Sequence, residues 1–370
     1  MNEMSIKEKE LPAIQESGRL LALDAVRGLA VIGMYVQHFA LNEWNDFVSG
    51  NTMILFMVCS GISYTIMAQR MLAGNTQKKF LNTRVLVRSV FIDFAGYLLI
   101  LLNGPFGVVL TAYAMLYLLV LPLVRLSTTK LFILSGAAFI LCPPLMLIGM
   151  SLFEGAVLLK DIAGGPGSAL AWLSVFLVGM AIGRLDLHRT ETAIKFIAAG
   201  AIILMPVKLI ETFVLPGIYQ SYMEWASLNP AIVNAEIDVF AMWPYNTQPI
   251  MWHMLFISMP QGGSTCELLA GTGGSLILLG IFCLIEKPYG MFLKPFCNVG
   301  KLALTLYVIQ IVAGWGLRIV DPDGPLMNIG VIPFGDVMLA IFVILLSYIF
   351  MRFSSGPFET VMRKLEKKFI

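Results

Sequence analysis

Residues 20–39 read Leu20-Leu21-Ala22-Leu23-Asp24-Ala25-Val26-Arg27-Gly28-Leu29-Ala30-Val31-Ile32-Gly33-Met34-Tyr35-Val36-Gln37-His38-Phe39. The run is long enough to cross a membrane as a helix. It carries three ionisable side chains. A helix turns about 100° per residue, so Asp24, Arg27 and His38 fall on one stripe within roughly 60° of each other. Arg27 and His38 are separated by a rise of about 16 Å, roughly half the hydrocarbon thickness. An ionisable group at membrane depth is costly to keep and marks a candidate functional site.

The composition around this run is that of a membrane protein. Of 370 residues, 58% are hydrophobic and only 13% charged, and the mean hydropathy is +0.82. We read ten spans, at about 20–41, 52–71, 85–103, 108–126, 131–152, 169–185, 194–214, 269–286, 301–320 and 336–354. The chain is therefore expected to be all-α and polytopic, with a single transmembrane domain over 20–354. A tail at 1–19, an outer loop at 215–268 and a tail at 355–370 complete it. Pro143-Pro144 predicts a kink in the fifth span. Gly179 and Gly183 in the sixth have the spacing of a close-packing motif.

Charge sets the expected orientation. Twenty of the 25 Lys and Arg residues fall in the two tails and in alternate connecting segments, whereas 215–268 has none. By the positive-inside rule both termini are expected in the cytoplasm of a cell-membrane protein. Asp24 and Arg27 then lie in the inner half of the first span and His38 at its outer end. The basic residues follow membrane topology and form no patch for nucleic acid. The five cysteines are scattered without a Cys/His cluster, so neither a zinc site nor a disulfide framework is indicated, and no bound cofactor is expected.

The residues leave two readings of the stripe open. Asp24 and Arg27 can neutralise each other as a structural pair at i, i+3, or Arg27 can hold an anionic ligand with Asp24 fixing its pose. His38 can be a packing histidine, or can touch ligand. His188 reads as a surface residue, and His253 lies in the outer loop among aromatics. Gln310 is a buried amide that must find partners.

Leu23-Asp24-Ala25-Val26-Arg27-Gly28, followed by His38, resembles the first span of the transmembrane acyltransferases. There an Asp precedes Arg-Gly, and a His follows after ten intervening residues, as in the family-3 O-acyltransferases. Gly50-Asn51-Thr52-Met53-Ile54-Leu55-Phe56 with Cys59-Ser60-Gly61-Ile62-Ser63 is similar to bacterial relatives of heparan-α-glucosaminide N-acetyltransferase. So is Asn298-Val299-Gly300-Lys301-Leu302-Ala303-Leu304-Thr305-Leu306-Tyr307. Where those relatives carry Pro-His-Ser-Gly, this chain has Pro260-Gln261-Gly262-Gly263.

The resemblance implies an acyl-CoA donor, acetyl-CoA first among them, on the cytoplasmic side. It implies a small-molecule, glycan or lipid acceptor at the outer face. His38 is then the catalytic residue, as general base or as acyl carrier. Asp24, Arg27, Arg84, Arg88 and Lys301 become the donor-binding or channel residues. Gln261, His253 and Gln310 are the acceptor-side candidates. Homo-oligomer formation is left open. The competing expectation is a multi-pass transporter or flippase, which intramembrane charges also suit.

Overall fold

The computed structural model describes residues 20–73, 78–153, 156–228, 255–256, 258, 260–321, 328–353 and 356–369. His253, the N-terminal tail and most of the outer loop lie outside them. The described residues contain no strand. Their helices are α1 (Leu21–Phe39), α2 (Asn51–Ala73), α3 (Lys78–Leu101), α4 (Leu110–Leu119), α5 (Thr128–Leu152), α6 (Val157–Ala163) and α7 (Ala169–Ile182). Then follow α8 (Thr190–Phe213), α9 (Leu215–Leu228), α10 (Thr265–Lys301), α11 (Ala303–Val320), α12 (Gly335–Phe353) and α13 (Pro357–Phe369).

Six stretches are long and apolar enough to cross a membrane, namely α8, α10, α11, α12, residues 128–150 of α5, and α2 with the turn before it; α4 and α7 are shorter apolar helices. The polar residues of α1 and the basic ones of α3 keep those two out of the six. The molecule wears its hydrophobic side chains outward: Ile202, Met205, Leu209 and Phe213 on α8, and Val337, Met338, Ile341 and Phe342 on α12, are exposed. A surface so apolar needs lipid rather than water around it. This is the architecture of a multi-pass membrane protein.

Close backbone approach organises the bundle. α2 and α7 meet at glycines. A Cβ on Gly61 would strike the carbonyl of Phe176, and one on Gly179 would strike that of Val58. The Gly179/Gly183 pair thus packs as its spacing predicted. α1 lies against the last turns of α10 in the same way, with Gly28 on the Phe296 carbonyl and Gly300 on the Asp24 carbonyl. The arginine-glycine order of the first span follows: Arg27 points to a cavity while Gly28, one residue on, lets α10 close in. The first amides of α1 have no local cap and are instead accepted by Glu286 of α10, at 3.0 Å for Leu21 and 3.2 Å for Ala22. A carboxylate there also suits the positive end of the helix.

α5 keeps its helix through Pro143 and Pro144. Pro143 leaves the Phe139 carbonyl without its helical donor, and the Thr265 hydroxyl of α10 donates to it instead at 2.8 Å. The break in helical dihedrals is in α10, at Tyr289 after Pro288, with φ −133° and ψ 26°. Residues 287–300, read as the connection between the eighth and ninth spans, continue the helix beyond that break. The C-terminal tail also has structure. It is the amphipathic helix α13, docked on α3 and α11.

Candidate functional site

Arg27 is half-buried and held on two sides. Its guanidinium lies 3.6 Å from Asp24, and it donates to the Ser63 hydroxyl. Ser63 in turn donates to the Cys59 carbonyl at 2.7 Å. The serine therefore presents oxygen to the arginine, and the pose of the guanidinium is fixed by α1 and α2 together.

Arg27 opens onto a cavity of about 190 Å³ enclosed by α1, α2, α3, α4, α10, α11 and α13. Arg88 and Lys301 share its wall, so three cations from three helices converge there. Tyr113 and Tyr117, hydroxyl to hydroxyl at 3.0 Å, add polar groups from α4. The rest of the lining mixes apolar side chains, notably Met34, Met53, Phe56 and Met57, with Ser60, Ser63, Tyr307 and the Glu359 carboxylate. Such a cavity fits a molecule with an anionic end and an apolar stem.

The α10–α11 junction supplies one wall, and its sequence becomes intelligible residue by residue. Gly300 admits the α1 backbone, and Lys301 brings charge. The Thr305 hydroxyl donates to Glu359 of α13. The Tyr307 hydroxyl accepts from the Val109 amide at 3.0 Å. Glu359 also accepts from the first amides of α11, Leu304 at 2.9 Å and Thr305 at 3.0 Å. Seven residues on, Glu366 takes Arg84 at 2.9 Å and Arg88 at 2.7 Å. Arg84 is thus engaged by α13 and is not in the cavity wall.

His38 sits beyond this cavity, one helical turn past Met34. Its ring stacks on Phe106, with centroids 4.0 Å apart and planes 7° from parallel. Its Nδ1 meets the amide nitrogen of Gln310, which is fully buried. That same nitrogen donates to the Met34 carbonyl at 3.1 Å. A carbonyl can only accept, so the atom facing it is the nitrogen and not the amide oxygen. Nδ1 of His38 is therefore the acceptor, and the ring proton resides on Nε2.

The structure groups the predicted residues in three places. Asp24, Arg27, Arg88 and Lys301 come together, and His38 meets Gln310. The stretch between Arg27 and His38 on the cavity side is apolar, since Met34, Met53 and Phe56 lie there. The stripe is polar at its two ends and is not one continuous polar cleft. Gln261 belongs to a third place. Its backbone amide, at positive φ of 61°, donates to Glu267 at 2.5 Å.

Glu267 also accepts from Gly263 at 2.8 Å and lines a second cavity of about 570 Å³ with Asp46, Lys208, Glu211 and Tyr219. Lys208 and Glu211 pair at 2.5 Å within it. Sequence reading missed Glu267, Tyr113, Tyr117, Glu359 and Glu366. A usable signal existed for the first, because Ser264-Thr265-Cys266-Glu267 is a capping box and Ser264 does accept from the Glu267 amide at 3.3 Å.

A family model described as a protein of unknown function (DUF418) matches residues 237–368. That stretch contains Lys301, Gln310, Glu359 and Glu366 but not Asp24, Arg27 or His38. Both cation cluster and histidine thus combine residues from inside and outside the matched part. No curated protein matches the chain.

Proposed function

We propose that this chain is a ten-span acyltransferase of the cell membrane, moving an acyl group, acetyl first among them, from cytoplasmic acyl-CoA to a hydroxyl or amine at the outer face. The observation that carries the reading is the convergence of Arg27, Arg88 and Lys301 on a methionine-lined cavity whose far wall, Met34, is one turn from His38. The ten spans are α1 to α5, α7, α8 and α10 to α12. An even number of spans and the distribution of basic residues support a topology with both termini in the cytoplasm. The CoA phosphates then belong at the three cations, and the pantetheine arm along the apolar wall.

The chemistry follows from the tautomer of His38. The acceptor heteroatom adds to the thioester carbonyl carbon, and the C=O electron pair moves to oxygen. His38 Nε2–H donates a hydrogen bond to that oxyanion. Collapse breaks the C–S bond, and the departing sulfur takes the proton released by the acceptor. The base and acyl-carrier roles both need Nε2 unprotonated, which the Gln310 contact opposes.

The test uses purified full-length protein in lipid. Acyl-CoA binding is measured by calorimetry, and transfer from labelled acetyl-CoA with a panel of acceptors. The reading expects binding by wild type and by His38→Ala, with transfer lost in the variant. Full transfer by His38→Ala overturns the assignment. Absence of both binding and transfer favours a transporter, whose substrate path the two cavities at opposite ends of the bundle would serve.

A further inference from the structure

The last helix has two faces with different tasks. On its buried face Glu359 and Glu366 are 7% and 4% exposed and are taken up by α11 and by Arg84 and Arg88 of α3. Glu359 and Met362 are part of the first cavity's wall, so α13 closes its end. The other face turns Lys364, Lys367 and Lys368 outward, all exposed. Beside them Val361 and Phe369 are also exposed, at 47% and 61%. A short helix with bases and large apolar side chains on its open surface does not suit water on all sides. It suits the headgroup layer, with apolar side chains entering the acyl boundary and lysines among phosphates.

We infer that the open face of α13 is a binding surface for anionic lipid headgroups, and that the bilayer thereby holds α13 down over the cavity. Charge complementarity identifies the partner. Three exposed lysines within five residues lie on the helix that comes after a span ending at Arg352-Phe353, an arrangement suited to an anionic leaflet. The acidic side chains of the helix offer no counter-charge to these lysines, because both are spent on the buried face. The lipid contact also has leverage on the site. α13 cannot leave the membrane surface without withdrawing Glu366 from Arg84 and Arg88 and opening the cavity.

The inference shares the topology of the proposed function, and its test requires no acyl donor, so each can fail alone. The full chain is reconstituted in nanodiscs of phosphatidylcholine, with or without phosphatidylglycerol. Amide hydrogen exchange is followed over residues 357–369. The anionic lipid is expected to slow exchange by roughly tenfold or more, an effect that shrinks in high salt. Inorganic phosphate added to neutral discs does not reproduce it. The K364Q/K367Q/K368Q variant loses the difference while exchanging like wild type in neutral discs. If the triple variant exchanges fast in both lipids, the single variants K364Q and K368Q decide, each being expected to narrow the difference. Equal exchange of wild type in the two lipids overturns the inference, as does a triple variant that keeps the difference or free phosphate that mimics the lipid.

Discussion

Replacing Gln310 by glutamate exchanges a donor for an acceptor at His38 Nδ1. The carboxylate draws the ring proton to Nδ1 and leaves Nε2 bare. With only three histidines in the chain, nitrogen-15 labelling of histidine resolves His38 directly. Wild type should give the pattern of an Nε2–H ring, and Gln310→Glu that of Nδ1–H; identical spectra contradict the assignment. At the other end of the stripe, Arg27→Lys keeps the charge but loses the planar fork that reaches Asp24 and Ser63 together. If the chain binds acyl-CoA as proposed, donor affinity should fall about 10- to 150-fold, read by calorimetry, since one charge-assisted contact is worth about 1.5–3 kcal/mol. Asp24, Arg27 and Lys301 were legible because a charged residue in an apolar run announces itself. Glu359 and Glu366 were not, because what makes them matter is a helix end and two arginines distant in the chain.

Among the elements, the glycine contacts distinguish positions that sequence spacing treats alike. A methyl group on Gly61 meets the α7 backbone, whereas one on Gly136 of α5 meets nothing within 4 Å. Gly61→Ala should destabilise the protein by about 1–3 kcal/mol, the range for overpacking a tight contact. Gly136→Ala should be neutral or slightly stabilising, by about 0.5–1 kcal/mol at most. Thermal unfolding in detergent compares them, and equal losses at both sites would contradict the packing. The positions of the helices were readable from apolar periodicity. Their ends were read poorly where charge and proline intervened. Lys287-Pro288 looks like a loop, yet α10 bends there and continues to Lys301, because its far turns are gripped by α1. The tail at 355–370 shows no span-length apolar run, and its helix is fixed by side chains of α3 and α11.

For the whole molecule, the expected orientation rests on the distribution of basic residues. Reporter fusions after Thr128 and after Asn229 should report opposite sides, the first cytoplasmic, and a shared side for both would sink the ten-span topology. The all-α class needed only composition and span length. Which helices would be neighbours was not legible, because lipid-exposed and protein-packed faces are equally apolar. Hydropathy does not say that α1 packs on α10 and α7 on α2 and α5.

The pairing of α1 with α10 has a consequence for synthesis. The ribosome delivers the first helix more than 200 residues ahead of the helix that caps and covers it. In the proposed ten-span topology, α1 waits throughout that interval in the bilayer with an acid and a base inside it. On the insertion scale each such residue at mid-membrane costs about 2.5–3.5 kcal/mol. The Asp24–Arg27 pair, one turn apart on the same helix, lets the nascent segment neutralise itself before any partner exists. Changing either residue alone should therefore lower the yield of inserted protein in a pulse-labelled membrane fraction. Changing both together to apolar residues should restore the yield while leaving the cavity one cation short.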